Sequence, residues 1–258
     1  MDRIANPGEQ IIRVEHFTAA YQGDVVINDI SFDVRRGEVF VILGGSGGGK
    51  TTLLKHMIGL HRPAAGSILI EGEDIVTAVG NARRNLLTKI GVMYQQGALF
   101  GSMNLIENVR LPLEEYTDLP EEAMDRIALL KLELVGLGAF AYHVPAEISG
   151  GMKKRAAIAR AMALDPRILF LDEPSAGLDP ITSAELDQLI LNLARNLKIT
   201  FVVVSHELAS IYAIADRVIM LDKRVKKIVA EGRPQELREH PDNPWVRQFF
   251  NREVAEST

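Results

Sequence analysis

Cysteine is absent from the chain, which excludes disulfides, thiolate metal ligands and cysteine nucleophiles. No stretch reaches the roughly 18 uninterrupted apolar residues that a membrane-spanning helix needs, so any membrane role is expected to run through a partner. The first ten residues, Met1 to Gln10, are polar and lack the apolar core of a secretory leader. Basic clusters are missing too. With a formal net charge of -5 and no block of like charge, nucleic acid is not an expected partner, because backbone binding draws on a concentrated cationic surface. Internal repeats, low-complexity tracts and long linkers are also lacking. What remains is 258 residues, 47% of them hydrophobic, enough for one large domain or two modest ones.

The chemistry starts at an apolar run, Val39 to Leu43, that delivers the chain into Gly44, Gly45, Ser46, Gly47, Gly48, Gly49, Lys50, Thr51 and Thr52. A helix-forming segment, Thr52 to Ile58, follows directly. A loop almost free of side chains lets successive backbone N–H groups wrap a polyphosphate, and the new helix points its positive end at the same anion. Lys50 adds a mobile charge, and the Thr51 hydroxyl is placed to ligate Mg²⁺. A merely flexible glycine turn would need no lysine followed by a hydroxyl at that offset.

Ahead of this loop, Ile11–Val14, Asp24–Ile27 and Ile30–Val34 read as short strands of an antiparallel sheet, broken at Asn28-Asp29 and Arg36-Gly37-Glu38. Tyr21 falls in the loop between the first two, where an aromatic ring can stack on a purine or simply pack. After the loop, Ser67–Ile70 reads as a strand, and Arg83 to Val92 as a short helix entering another. From about 104 to 164 the periodicity turns helical, with Met124, Ile127, Leu130 and Leu134 at three- and four-residue steps and Gly136 as the stop. Two continuous apolar runs, Ile168–Leu171 and Thr200–Val204, flank a helix from about 181 to 196 and suit a parallel sheet covered on both faces. Strands near 217–220 and 227–230 lead to a polar tail whose Trp245, Val246, Phe249 and Phe250 form i,i+4 pairs. That tail docks either on its own core or on a second copy.

The strand ending at Leu171 leads into Asp172-Glu173. Ligands gather at the carboxyl ends of strands in open parallel sheets, so Asp172 is suited to hold Mg²⁺ and Glu173 to orient or deprotonate an attacking water. An exposed turn capped by two acids is the plainer reading, and the upstream loop favours the catalytic one. Between the two motifs, Ser149-Gly150-Gly151 opens a helix and offers a second anion site at a helix N-terminus; an ordinary capped helix is its alternative. Lys153, Lys154 and Arg155 read as a solvated helix face. His16, His56, His61, His143 and His240 have no metal-ligand spacing and read as structural or surface residues.

The order of Tyr21, the glycine loop, Gln95, Ser149-Gly150-Gly151, Asp172-Glu173, Ala176-Gly177-Leu178-Asp179 and Val204-Ser205-His206 resembles the nucleotide-binding subunit of an ABC transporter. The likeness runs from about residue 11 to residue 235. It implies an α/β fold: a P-loop NTPase (RecA-like) core with a parallel sheet over 11–95 and 161–230, carrying an antiparallel β subdomain. A helical ABC subdomain over 96–160 and a tail over 231–258 complete the single ABC ATPase domain. The resemblance implies ATP and Mg²⁺ as cofactors, with Tyr21 stacking on adenine and Gln95 joining Thr51 and Asp172 around the cation while sensing nucleotide and permease. It implies that Lys50, Glu173 and His206 serve hydrolysis, and that Ser149, Gly150 and Gly151 contact the γ-phosphate held by a second copy. Asp179 would organise the dimer seam. The signature usually carries glutamine where this chain has Met152; the side-chain amide is lost and the backbone cradle survives, so activity is expected to persist.

A narrower set is Gln96-Gly97-Ala98-Leu99-Phe100, Met103-Asn104, Asn108-Val109, Ile148 to Met152, Gly177 to Thr182 and Val246-Arg247-Gln248-Phe249. It is similar to the Mla/Mce-type ATPases, which move phospholipid between the inner and outer membranes of Gram-negative bacteria and so maintain outer-membrane lipid asymmetry. That resemblance implies a homodimer on the cytoplasmic face of the inner membrane. Its implied companions are an integral-membrane permease (MlaE-like), a small STAS-domain protein (MlaB-like) and a periplasmic Mce-domain protein (MlaD-like). The competing expectations are another ABC importer or exporter, and a non-transport ABC switch on ribosomes or DNA. Against the switch stand the single P-loop, the single signature and the absence of heptads.

Overall fold

A computed structural model describes residues 8–239, 241 and 243–252. The polar segment 1–7 and His240 lie outside the described residues. The chain divides into two compact units, Met1–Ala78 with Val202–Thr258, and Val79–Phe201.

The first unit opens on β1 (Gln10–Tyr21), β2 (Asp24–Arg35), β3 (Val39–Gly44), α1 (Lys50–Met57), β4 (Ala65–Ile70) and β5 (Glu73–Asp74). The second holds α2 (Gly80–Thr88), β6 (Ile90–Met93), α3 (Leu105–Tyr116), α4 (Glu121–Leu134), α5 (Gly150–Ala161), β7 (Ile168–Asp172) and α6 (Pro180–Leu197). Strand β8 (Thr200–Val204) crosses the division, and α7 (Leu208–Ile214), β9 (Arg217–Asp222), β10 (Lys227–Gly232), α8 (Pro234–Glu239) and α9 (Pro244–Asn251) complete the first unit.

In the first unit β1 pairs antiparallel with β2 on one side and β4 on the other, and β5 follows β4. A second sheet places β3 between β8 and β9, parallel to β9, with β10 antiparallel beside it. All six residues of β3 are buried, as an unbroken apolar strand covered on both faces must be. Phe32 stacks on Phe40 with centroids 5.6 Å apart, and the Arg217 guanidinium covers the other ring at 5.0 Å while donating to Glu38 at 2.8 Å and Asp33 at 3.1 Å. In the second unit β6 and β7 are parallel, Ile90 opposite Ile168. The expected pairing of a parallel sheet with an antiparallel one and a run of helices is therefore present.

Two local expectations are corrected. Asn28-Asp29 does not break the strand: β2 runs through it, because the ladder bulges rather than ends. Asp29 and His16 take the left-handed backbone at φ 48 and 46, and side chains supply the missing ladder partners. The Asp29 N–H donates to Thr18 Oγ1 at 3.1 Å, and the His16 N–H to Ser31 Oγ at 2.9 Å. In α4, Leu130 and Leu134 point outward, and the face turned inward is Ala128, Lys131 and Leu132. Lys131 reaches an ion pair with Asp165, so a lysine occupies a position that apolar counting would not select.

Candidate functional site

The glycine loop spans the gap between the end of β3 and the start of α1. Gly49 is the residue just before the helix, at φ 88 with no side-chain cap. A β-carbon there would lie 2.9 Å from Ile27 Cγ1, so both the conformation and the approach of β2 demand glycine. The first turn of α1 carries no acidic residue, which leaves the positive end of the helix available to an anion. Lys50 folds back over its own loop, its Nζ donating to Gly44 O at 2.8 Å and Gly45 O at 3.2 Å. Within the helix, His56 is buried and donates to Thr52 O at 2.7 Å. Burial pulls its imidazole below the ordinary histidine range, only partly opposed by that hydrogen bond.

Tyr21 closes β1 rather than lying in a loop, 40% exposed, its ring edge-on to His61 at 5.9 Å and tilted to His56 at 6.4 Å. His206 is exposed in the segment after β8, where Ser205 Oγ accepts from the Glu207 N–H at 3.1 Å and fixes the turn.

Within this chain α9 packs against its own unit. Asn243 caps α9 by accepting from the Trp245 N–H at 2.9 Å, and Val246 and Phe250 are buried, with Phe250 6.0 Å from the Tyr212 ring. Trp245, the single tryptophan of the chain, reaches the glycine loop: a β-carbon on Gly45 would sit 3.5 Å from its Cζ2. Arg224 lies over the indole at 5.2 Å and is itself held by Asp222 at 2.5 Å, at the end of β9. Intrinsic emission is therefore expected to report on the loop. Saturating ATP with Mg²⁺ should shift Trp245 fluorescence, and Trp245→Phe should abolish the signal; an emission unchanged through a complete nucleotide titration would refute this.

In the second unit β7 is buried throughout and ends on Asp172, 6% exposed, followed by Glu173 at 9%. Glu173 has φ 48, a left-handed conformation that non-glycine residues hold only where their surroundings impose it. Lys154 is not on a solvated face as the sequence suggested: it is 8% exposed and donates to Gln95 O and, at 3.4 Å, to Glu173 O. Consecutive helical residues diverge by about 100°, so a basic run cannot stay on one face. Burial lowers the affinity of Lys154 for its proton, and the Asp172 and Glu173 carboxylates partly restore it. Arg160, one face along α5, donates to Gly97 O at 2.8 Å and Ala98 O at 2.7 Å. Gln95 itself is exposed.

Beyond that loop, Asn108 is fully buried and clamps the chain by accepting from the Phe100 N–H at 2.8 Å and donating to Phe100 O and Met103 O at 3.1 Å. The clamp holds Phe100 outward, 55% exposed.

Ser149 caps α5, its Oγ accepting from the Met152 N–H at 3.2 Å. A β-carbon on Gly151 would lie 2.4 Å from Thr182 Cγ2, so glycine is needed for the start of α5 to lie against the start of α6. Asp179 caps α6, accepting from the Ile181 and Thr182 N–H groups at 3.1 Å and from Thr182 Oγ1 at 2.5 Å. The Thr182 hydroxyl first, then the backbone donors, hold its carboxyl below the usual carboxylate range. The serine–glycine turn and Asp179 are thus joined through Thr182.

The sequence-selected residues sort into two sets. The glycine loop, Tyr21 and His206 belong to the first unit; Gln95, Ser149 to Gly151, Asp172, Glu173 and Asp179 belong to the second. The residues expected around a cation, Thr51, Gln95 and Asp172, offer only oxygen donors, as a hard divalent ion requires. Among the described residues no group of three or more His, Cys, Asp and Glu could hold a metal ion. Sequence reasoning passed over Arg160, read Lys154 as solvated, and saw Trp245 only as part of an amphipathic tail.

Comparison with known proteins follows the same lines. The family model for ABC transporters matches residues 27–176. The probable ribonucleotide transport ATP-binding protein mkl of Mycobacterium leprae is 43% identical over 240 residues, covering 93% of this chain and 68% of that protein. The intermembrane phospholipid transport system ATP-binding protein MlaF of Escherichia coli K12 is 43% identical over 226 residues, covering 88% of this chain and 83% of that protein. The chain thus spans about two thirds of the mycobacterial relative. Among solved structures, the dimeric post-hydrolysis state of the ATP-binding cassette MJ0796 bound to ADP and phosphate superposes with a TM-score of 0.77 at 29% identity, covering 86% of this chain and 98% of that one.

Proposed function

The chain belongs to the ABC transporter family, and from that premise we propose that it works as a homodimer, the ATP-hydrolysing subunit of a transporter that moves phospholipid between the inner and outer membranes. It is an ATPase. The observation that carries the substrate class is the 43% identity to the Escherichia coli phospholipid-transport subunit across 83% of that protein's length.

In this reading each ATP lies between the glycine loop of one copy and the Ser149–Gly151 turn of the other. The loop amides and the N-terminus of α1 bind the phosphates, Lys50 releases its two loop carbonyls to meet them, and Tyr21 stacks on the base. Thr51, Asp172 and Gln95 would supply oxygens to Mg²⁺, which would neutralise phosphate charge. Glu173 takes the proton of the attacking water, and His206 orients the γ-phosphate. Asp179 organises the seam between copies.

The segment 96–160 is the part that docks the permease, with the outward Phe100 held ready by Asn108. Loss of the γ-phosphate contacts opens the dimer, and the loop at Gln95 passes that change on. Among the described residues no helix is long and apolar enough to cross a membrane, and the proposed location is peripheral, on the cytoplasmic face of the inner membrane. The proposed complex adds a STAS-domain protein and a periplasmic Mce-domain protein to the permease.

A second reading is transport of ribonucleotides, the class named in the mycobacterial relative. Affinity purification from membranes through this subunit, followed by lipid analysis and reconstitution, separates the two. The expected result is a complex with a permease and an Mce-domain protein, bound phospholipid, and ATP-dependent phospholipid transfer between vesicles. A complex that instead retains a periplasmic solute-binding protein, or one whose ATPase responds to ribonucleotides and not to lipid, overturns the phospholipid reading.

A further inference from the structure

Three pieces of the second unit that have no reason to meet by sequence are joined by one buried ammonium. Gln95 follows β6, Glu173 follows β7, and Lys154 lies within about one and a half turns of Ser149 along α5. From there the lysine stem passes inward, so that Nζ donates to the backbone carbonyls of both Gln95 and Glu173. Charged donors to carbonyl oxygens are the stronger kind of hydrogen bond. The carbonyl of Glu173 belongs to a residue in the left-handed region at φ 48, where the peptide orientation must be held from outside. A second carbonyl contact steadies the same turn, the Ala176 N–H donating to Glu173 O at 3.2 Å.

We infer that Lys154 is a positioning residue for ATP hydrolysis: it fixes the peptide of Glu173 and the Gln95 loop to α5, the helix whose capped end meets the nucleotide of the second copy. The inference rests on the reading of Glu173 as the base. A small displacement of a reacting group costs on the order of a hundredfold in rate without altering substrate affinity. Any shift of α5 on nucleotide contact is carried by Lys154 to the carboxylate that acts and to the loop proposed to face the permease. Arg160 strengthens the second link only, since both of its carbonyl partners are in the loop. A lysine serving only to fill space would need neither carbonyl.

The test measures kcat, KM for ATP and ATP binding in the purified complex for Lys154→Met, Lys154→Gln and Lys154→Arg, with Glu173→Gln alongside. Lys154→Met keeps the stem and removes the donors. The expected result is a kcat lowered about 10- to 100-fold with KM within about threefold, and recovery to within about threefold of wild type in Lys154→Arg. A Lys154→Met kcat within about twofold of wild type, beside an inactive Glu173→Gln, overturns the role of Lys154. So does a kcat loss matched by a rise in KM with no rescue by arginine, because that pattern marks lost folding support. Should the methionine variant not fold, Lys154→Gln decides by the same split. Turnover persisting in Glu173→Gln is a different result: it removes the base assignment itself.

Discussion

Glu173→Gln is expected to lower ATP turnover at least about a hundredfold, the scale of a lost general base, while leaving ATP affinity intact. The fold change corresponds to about 2.7 kcal/mol of transition-state stabilisation. Three structural features make the substitution clean. The side chain is isosteric, so the nearly buried pocket around it, 9% exposed in the native residue, neither collapses nor overfills. The Lys154 and Ala176 contacts are made to the Glu173 backbone carbonyl and survive loss of the carboxylate. Removing a negative charge beside a polyphosphate also weakens no attraction to the ligand. Binding should therefore equal or exceed wild type, and the unhydrolysed nucleotide should hold two copies together. Equilibrium nucleotide binding, steady-state turnover and size exclusion with light scattering in ATP test the three parts. Hydrolysis within about tenfold of wild type would refute the base assignment, because no other general base has been assigned at that end of β7.

What the sequence disclosed and what it hid follow a physical division. The glycine loop was legible because its residues are consecutive: a glycine-rich turn after β3, a glycine where Ile27 closes on Gly49, then Lys50 and Thr51 opening α1. Strands β3 and β7 were legible because an unbroken apolar run has few alternatives to a doubly covered strand. Lys154 was hidden because its partners, Gln95 and Glu173, are distant in sequence and contribute backbone carbonyls, which carry no residue-type signal. Trp245 was visible as an amphipathic tail residue, yet only the packing of α9 brings it to Gly45. The bulge at Asn28-Asp29 was read as a break because both residues favour turns. The hydroxyls of Thr18 and Ser31, which complete the ladder there, lie on either side of it. Local chemistry is thus written in neighbouring residues, and the coupling between elements is not.

The second large effect tests whether each hydrolytic site is divided between two copies. Lys50→Ala removes the ammonium proposed to bind phosphate, and Ser149→Arg replaces the cap of α5 with a side chain too large for the proposed γ-phosphate cradle. Each variant alone is expected to be inactive as a homodimer, since every site then carries one lesion. In a purified mixed dimer the two lesions fall together. If the glycine loop of one copy works with the serine–glycine turn of the other, the site pairing Lys50→Ala with Ser149→Arg is doubly damaged, and the opposite site is wholly native. Such a dimer should recover up to about half of wild-type turnover if the sites act independently. Sites contained within one copy would instead leave a lesion in each, and mixing would recover nothing. A tandem fusion of the two variants, compared with fusions of each variant to itself, makes the measurement free of subunit exchange. The geometry of the turn explains why arginine belongs at Ser149 and not at Gly151. A side chain at Gly151 meets Thr182 Cγ2 at 2.4 Å and would disturb α6 within the same chain, whereas Ser149 is an exposed cap, and losing it costs only about 1 kcal/mol of helix stability. An inactive mixed dimer made from two folded chains, with the Ser149→Arg chain still binding nucleotide, would place the whole site within a single copy and remove the reason for ATP to bring two together.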